Sequence, residues 1–390
     1  MFSLLSPRLA CVTGSGGGRA GDALAILVFG AGIGAHQAPR RLRLASCPIN
    51  SAEGDNSSFF RAPPLRRSRL PVPGRPARRG CRHGPPVAAP RPATGTAVPA
   101  SPTDRPTDRS LTALFRFLAR LPLPVLHNLG ALLGWLAWLF SPTYRRHLRQ
   151  NLALAGGPTG FTDAVPEAGK TLLELPWVWL RPQASVVGAV VQVSGWDLVE
   201  AAWREGRGIL FLTPHLGCFE VTAQYYASHR PITVLYRRPK QAWLGPLVEE
   251  GRGASLRLAP ADLSGVRRLM KALRQGEAAG MLPDQVPGRG EGLWAPFFGR
   301  PAYTMTLAAR LAETGAAVIL AYAERLHYGA GYHLRLFPLS APLEGDLPAR
   351  VAAINRELEG LVLRCPGQYL WGYNRYKVPA GAEPPPGDRP

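Results

Sequence analysis

The chain has 390 residues, with 46 lysines and arginines against 26 acidic residues and a formal net charge of +20. That length allows one large domain or two ordinary ones, and that charge suits an anionic partner such as nucleic acid, anionic lipid or an acidic protein. Five scattered cysteines without a CxxC pair exclude a disulfide framework and a metal site, and no RNA-binding signature or aromatic-interleaved basic ribbon supports nucleic acid.

The N-terminal quarter differs from the rest. Residues 1–110 hold 16 arginines, no lysine, 5 acidic residues and 15 of the 40 prolines. Such a composition buries too little apolar surface to offset chain entropy, so residues 1–105 are expected to be a disordered Pro/Arg-rich extension. The glycine run at 13–18 follows no strand and lacks the GK[ST] of a phosphate loop. The apolar stretch 24–35 has signal-peptide size, but Asp22 at its edge and the missing cleavage context argue against that role. The expectation is that much of this segment comes from a start site placed too far upstream.

Residues 106–150 read as a membrane anchor with a basic flank. From 121 to 144 there is no Asp, Glu, Lys or Arg, and Trp135, Trp138 and Phe140 gather toward one end. Some twenty apolar residues cross a bilayer, and Arg145, Arg146 and Arg149 at once afterwards point to a cytoplasmic C-terminal side. An interfacial or core helix is the competing reading, favoured by Pro122, Pro124 and Asn128.

Residues 151–379 form the catalytic domain of this reading, with a short tail at 380–390. A helix within 160–185 carries Trp177 and Trp179. Strands are then expected at 190–193, 208–212, 232–236, 255–258, 278–282, 316–323 and 332–337. They alternate with helices at 196–205, 219–228, 243–251, 264–275, 303–314 and 348–364. Alternation of this kind means an α/β fold, a mixed sheet flanked by helices, preceded by the anchoring helix and the disordered extension.

The central stretch is Gly208-Ile209-Leu210-Phe211-Leu212-Thr213-Pro214-His215-Leu216-Gly217-Cys218-Phe219-Glu220. A buried strand ends at Thr213-Pro214, because proline has no N–H for the ladder, and a helix starts near Cys218. In one regular helix residues five apart sit about 140° from each other, so His215 and Glu220 meet only if His215 lies in the loop. The expected arrangement has Glu220 fixing the tautomer of His215, which then takes a proton from a hydroxyl. Free N–H groups at the helix start would meet developing negative charge. An isolated HxxxxE is more often a surface histidine beside a helix cap. Cys218, inside the motif, reads as a small packing residue rather than a nucleophile.

Further stretches fall at strand ends, where open α/β sheets build their sites. Tyr236-Arg237-Arg238-Pro239 offers arginine for a phosphate, against the plainer reading of a solvated pair. Leu282-Pro283-Asp284-Gln285-Val286-Pro287-Gly288 offers an aspartate at a turn, to position a hydroxyl or an arginine or merely to shape the turn. The loop from Trp294 to Thr304 contains Phe297 and Phe298, an expected apolar lip for an acyl chain. The segment from Gln368 to Lys377 is aromatic and basic, suited to a membrane surface.

The ordered blocks HLGCFE, YRRP, DQVPG, FFGRPAYT and WGYNRYK resemble the lipid A late acyltransferase family, the lauroyl/myristoyl acyltransferases of the wider HX4D/E group. The resemblance runs from about Leu111 to Pro379 and includes nothing in residues 1–105. It implies a membrane-bound O-acyltransferase with His215 and Glu220 as the catalytic pair and Arg237 and Asp284 as further functional positions. Arg238 competes with Arg237 for its role, and Tyr373 stands where the family more often has histidine. It also implies acyl carrier protein as thioester donor, a lipid A precursor as acceptor, and the bacterial inner membrane as location, with the catalytic domain on the cytoplasmic side. No cofactor or metal is implied. A lysophospholipid or other glycolipid is the alternative acceptor, although DQVPG replaces the FPEGTR-like block of lysophosphatidate acyltransferases. A non-catalytic lipid-binding protein that kept the fold is the alternative of another class.

Overall fold

The computed structural model describes residues 106–385 apart from Lys240, Ala242 and Ala254, so the expectations for residues 1–105 lie outside the described residues. Among the described residues five helices come first: α1 (Pro106–Leu118), α2 (Leu123–Phe140), α3 (Pro142–Leu154), α4 (Phe161–Leu180) and α5 (Gln183–Gly188). Strands and helices then alternate as β1 (Val190–Ser194), α6 (Asp197–Arg204), β2 (Ile209–Leu212), α7 (Phe219–Ala227), β3 (Ile232–Tyr236), α8 (Leu244–Gly253), β4 (Arg257–Pro260), α9 (Leu263–Arg274) and β5 (Ala278–Met281). After them come β6 (Gly292–Phe297), β7 (Arg300–Met305), α10 (Leu307–Ala312), β8 (Ala317–Arg325), β9 (Tyr332–Pro338) and α11 (Leu347–Arg364).

Seven strands form one sheet in the order β1-β9-β8-β2-β5-β3-β4, and β6 pairs with β7 in a separate hairpin. Only the β8–β9 pair is antiparallel in the large sheet; the others run parallel, so the sheet is mixed as expected. Strand β2, Ile-Leu-Phe-Leu, is buried at every position because helices cover both faces. One core lies on each side of it: Leu210 and Leu212 enter one, Ile209 and Phe211 the other.

Helix α2 is apolar all round yet has two distinct faces. Leu126, His127, Gly130, Gly134 and Ala137 are buried, while Val125, Leu129, Leu132, Leu136, Leu139 and Phe140 are exposed at three- and four-residue spacing. The buried face meets α4 with almost no side chain between the backbones: a Cβ on Gly134 would stand 2.2 Å from the carbonyl oxygen of Val165. Small residues at such a crossing gain contact area by letting backbones approach. The helix is long and apolar enough to cross a membrane by length and composition.

A buried ionic cluster ties α4 to the sheet. Arg325, at the end of β8, donates to Glu174 and Thr171, and Glu174 also accepts from the Tyr332 hydroxyl at 3.1 Å. His127 of α2 lies 3.4 Å from the same carboxylate. Burial pushes the Glu174 carboxyl up, but the Arg325 guanidinium and the His127 contact outweigh it and hold the group down at about 2.

Two sequence expectations fail in the hairpin region. The helix expected at 303–314 is strand to Met305 and helix only from Leu307, because residues 300–305 pair with 292–297. The aromatic loop is the hairpin itself: Phe298 (φ +47°) and Gly299 (φ +73°) form a two-residue turn of the left-handed kind that matches strand twist.

Candidate active site

The site grows from strand register. Strands β2 and β5 are parallel neighbours with Leu212 opposite Met281, and each chain then runs three residues to a polar side chain, His215 or Asp284. Those two side chains meet. Asp284 accepts from the His215 backbone N–H at 2.9 Å and, at 2.7 Å, pairs with imidazole Nδ1. Asp284 is 2% exposed, so its second acceptor bond from the same residue fixes ring and loop together.

Burial raises the Asp284 carboxyl, yet the imidazole charge and both His215 hydrogen bonds more than offset this and bring it below the usual range. The carboxylate therefore stays ionised and selects the tautomer with the proton on Nδ1. Nε2 lies 3.1 Å from the Gln285 amide nitrogen, which fits an unprotonated acceptor at that position.

The loop from Pro214 to Cys218 is stitched down along its length. Leu370 N–H donates to the His215 carbonyl at 3.1 Å, Gly217 N–H to Gln368 O at 3.1 Å, and Cys218 N–H to Ala323 O at 2.8 Å. Gly217 has φ +59°, and a Cβ there would sit 2.1 Å from the Ala323 carbonyl oxygen, so both conformation and space demand glycine. Gln368 also brackets Arg325 by exchanging two hydrogen bonds with its backbone.

Glu220 stands elsewhere than the sequence suggests. The carboxylate on the imidazole is that of Asp284, and Glu220, on the first turn of α7, pairs instead with Arg252 at the end of α8. The reason is geometric: α7 starts at Phe219, whose ring packs 4.8 Å from the imidazole, while Glu220 turns toward α8. His215, Glu220, Arg237, Arg252 and Gln285 nevertheless line one pocket, with Leu172, Leu175, Trp179, Leu244, Val248 and Leu370 as its apolar wall. Arg238 points to Glu249 at 3.1 Å and does not line it, so of the two arginines Arg237 is the one at the pocket.

Residues 109–378 match the bacterial lipid A biosynthesis acyltransferase family. The chain belongs to that family. Among relatives, the lipid A biosynthesis lauroyltransferase of Escherichia coli (strain K12) is 27% identical over 272 residues, which is 67% of this chain and 88% of the relative. The lipid A biosynthesis palmitoleoyltransferase of the same organism is 28% identical over 270 residues, 66% of this chain and 87% of the relative. A lipid A biosynthesis acyltransferase of Haemophilus influenzae (strain ATCC 51907 / DSM 11121 / KW20 / Rd) is 25% identical over 286 residues, 68% and 88%. The family makes the protein an acyltransferase of lipid A biosynthesis.

Two expected contributors are not brought to this pocket. Phe297 is buried at 2% exposure beneath Arg375, and Phe298 packs on Phe297 and Trp371; both belong to a separate small cleft. Nor is the 368–377 segment a surface strip, since Tyr369, Trp371, Tyr373 and Arg375 are all buried. Tyr373 has a structural task, its hydroxyl accepting from the Val286 N–H at 2.9 Å beside Asp284 and Gln285. Cys218 is buried, and burial followed by the Glu174 charge pushes its thiol far up, so it stays protonated.

Sequence reading missed Gln285, Arg252 and the Glu174–Arg325 cluster. Gln285 sat beside a residue already singled out; nothing local marks Arg252 or Glu174, which lie on ordinary amphipathic helices. Among the described residues no group of three or more His, Cys, Asp or Glu side chains forms a metal site.

Proposed function

We propose that the protein moves a fatty acyl group from the thioester of acyl carrier protein to a hydroxyl of a lipid A precursor, on the cytoplasmic side of the bacterial inner membrane. The observation that carries this reading is the His215–Asp284 pair, with His215 lining a pocket that has an apolar wall and two arginines, Arg237 and Arg252. With Nδ1–H donating to Asp284, Nε2 is the free base. The acceptor hydroxyl displaces the Gln285 amide, gives its proton to Nε2, and attacks the thioester carbonyl. The tetrahedral intermediate collapses to the ester, the C–S bond breaks, and the leaving sulfur takes the proton from Nε2, which restores the base. Asp284 stabilises the imidazolium between the two transfers. A positioned base of this kind contributes about 10²- to 10⁴-fold.

The apolar wall suits an acyl chain, and Arg237 at the rim suits a phosphate of the acceptor. Membrane association rests on the exposed apolar face of α2, continued by Leu114 and Phe117 of α1 and by Phe161. Arg145 and Arg149 stack on Trp138 at its end, where cationic and amphipathic side chains favour the lipid–water boundary. The positive net charge supports an acidic carrier protein as donor.

Mass spectrometry of lipid A from cells with and without the gene tests the reading: one acyl chain is expected to disappear and to return on complementation with wild type but not with His215→Ala. Unchanged lipid A would sink it. Purified protein assayed with matched acyl carrier protein and acyl-coenzyme A thioesters then tests the donor, with kcat/KM expected to favour the carrier protein and to fall with salt.

A further inference from the structure

The Glu220–Arg252 pair has its own architecture. Arg252 Nε donates to Glu220 Oε2 at 2.9 Å, and Nη2 pairs with Oε1. The guanidinium carbon lies 5.2 Å from the Trp179 ring centroid and 5.9 Å from that of Tyr236, so two aromatic faces and one carboxylate hold it. The side chains are 18% and 6% exposed for Arg252 and Glu220. Burial lowers the guanidinium only to about 10, which leaves it cationic at neutral pH.

The pair also stands between two cavities. One holds His215 and Arg237; the other runs between α7 and the sheet along Phe211, Gly280, Met281 and Leu282. Phe219, Glu220 and Arg252 line both. A carboxylate this buried needs a counter-charge, and Arg252 supplies it bidentately. His215 already has Asp284.

We infer that Glu220 serves the reaction through Arg252 rather than through His215, clamping the guanidinium in the pocket wall as a cationic contact for a phosphate of the acceptor glycolipid. Glu220 is a positioning residue; it occupies Nε and Nη2, and Nη1 is the donor outside the pair. Arg237, one residue from Tyr236, supplies a second charge to the same pocket. Proton transfer belongs to His215 and Asp284. The inference rests on the acyl-transfer reading above.

The test uses the full chain in detergent, with acyl carrier protein thioester and a diphosphorylated lipid A precursor. Arg252→Gln and Glu220→Gln are each expected to raise the acceptor KM tenfold or more, with kcat within about threefold and an unchanged pH profile. Arg252→Lys keeps the charge without the fork and is expected to fall between wild type and Arg252→Gln. The double variant Glu220→Gln/Arg252→Gln buries no unpaired charge, so it keeps the fold, and its KM is expected to match the singles rather than their product. Asp284→Asn, by contrast, is expected to lower kcat and alter the pH profile. A Glu220→Gln variant that behaves like Asp284→Asn, or losses that multiply in the double variant, would overturn the clamp. Direct binding of the diphosphorylated precursor separates this from the activity reading: equal affinity for wild type and Arg252→Gln defeats the clamp even if the wild type transfers no acyl group.

Discussion

His215 and Asp284, 69 residues apart in the chain, make two contacts with each other, one through the imidazole at 2.7 Å and one through the backbone N–H at 2.9 Å. A single carboxylate thus holds both the ring, through Nδ1, and the backbone of the loop that carries it. Removing either partner has consequences beyond the lost proton transfer.

His215→Ala is expected to lower turnover by about 10²- to 10⁴-fold. It also leaves Asp284 buried with a weaker partner set, which costs about 1–3 kcal/mol of stability. Asp284→Asn keeps the shape but loses the charge that holds the imidazolium, and a comparable loss of kcat is expected. Steady-state kinetics beside chemical denaturation separates the two effects. Full activity in Asp284→Asn would remove the pair from the mechanism.

Gly217→Ala puts a methyl against the Ala323 carbonyl and forces a non-glycine residue into positive φ. The expected stability cost is about 1–3 kcal/mol, with activity falling further because His215 lies two residues away. Gly290→Ala, whose Cβ would meet nothing within 4 Å, is the matched control for positive φ alone.

If the exposed face of α2 enters the bilayer, the protein pellets with membranes and resists high-salt washing, since apolar burial does not depend on ionic strength. Leu132→Glu/Leu136→Glu changes that face only and is expected to release protein into the soluble fraction while leaving the fold intact. Release of the wild type by salt alone would assign the attachment to basic charge.

The Glu174–Arg325 pair makes a pH-dependent contribution to stability. The folded carboxyl sits near 2 against an ordinary value of 4.5, so its stabilisation is complete above about 4.5 and is lost as pH falls toward 2. Glu174→Gln removes one of the two carboxylates on buried Arg325, Glu167 remaining, and is expected to cost about 1–3 kcal/mol at pH 7. Denaturant titrations of the two proteins are expected to converge as the pH is lowered through that window. A gap that stays constant from pH 7 to pH 2 would show that the charge plays no part.

Acyl-chain preference is expected to respond to the pocket wall and not to the hairpin. Leu175→Ala reshapes the apolar lining, and about 0.8 kcal/mol per buried CH₂ allows a several-fold change in selectivity per carbon. Phe298→Ala removes packing on Trp371 and is expected to lower stability by about 2–3 kcal/mol with selectivity unchanged. A product distribution that shifts with Phe298→Ala but not with Leu175→Ala would reverse this assignment.

By itself the sequence determined the alternation of strands and helices from Val190 to Met281 and the strands and helix from Ala317 to Arg364, though not the hairpin between them, because short apolar runs broken by proline and glycine leave few other ways to bury their side chains. It determined the apolar character of residues 123–140 and marked His215, Arg237 and Asp284 as polar groups at strand ends. These are local properties, legible from composition and spacing. Which carboxylate meets His215 is not local. That depends on β2 and β5 being neighbours with Leu212 opposite Met281, although α7, β3, α8, β4 and α9 lie between them in the chain. The same holds for Glu220, whose partner Arg252 comes from another helix, and for the two faces of α2, which exist only because Gly130 and Gly134 seat it on α4. The turn at Phe298-Gly299 is not legible in the sequence because phenylalanine is a poor signal for positive φ, and only pairing across the hairpin forces it there. Strand order and helix contact are decided by packing over the whole domain, and that is where the geometry of the site was set.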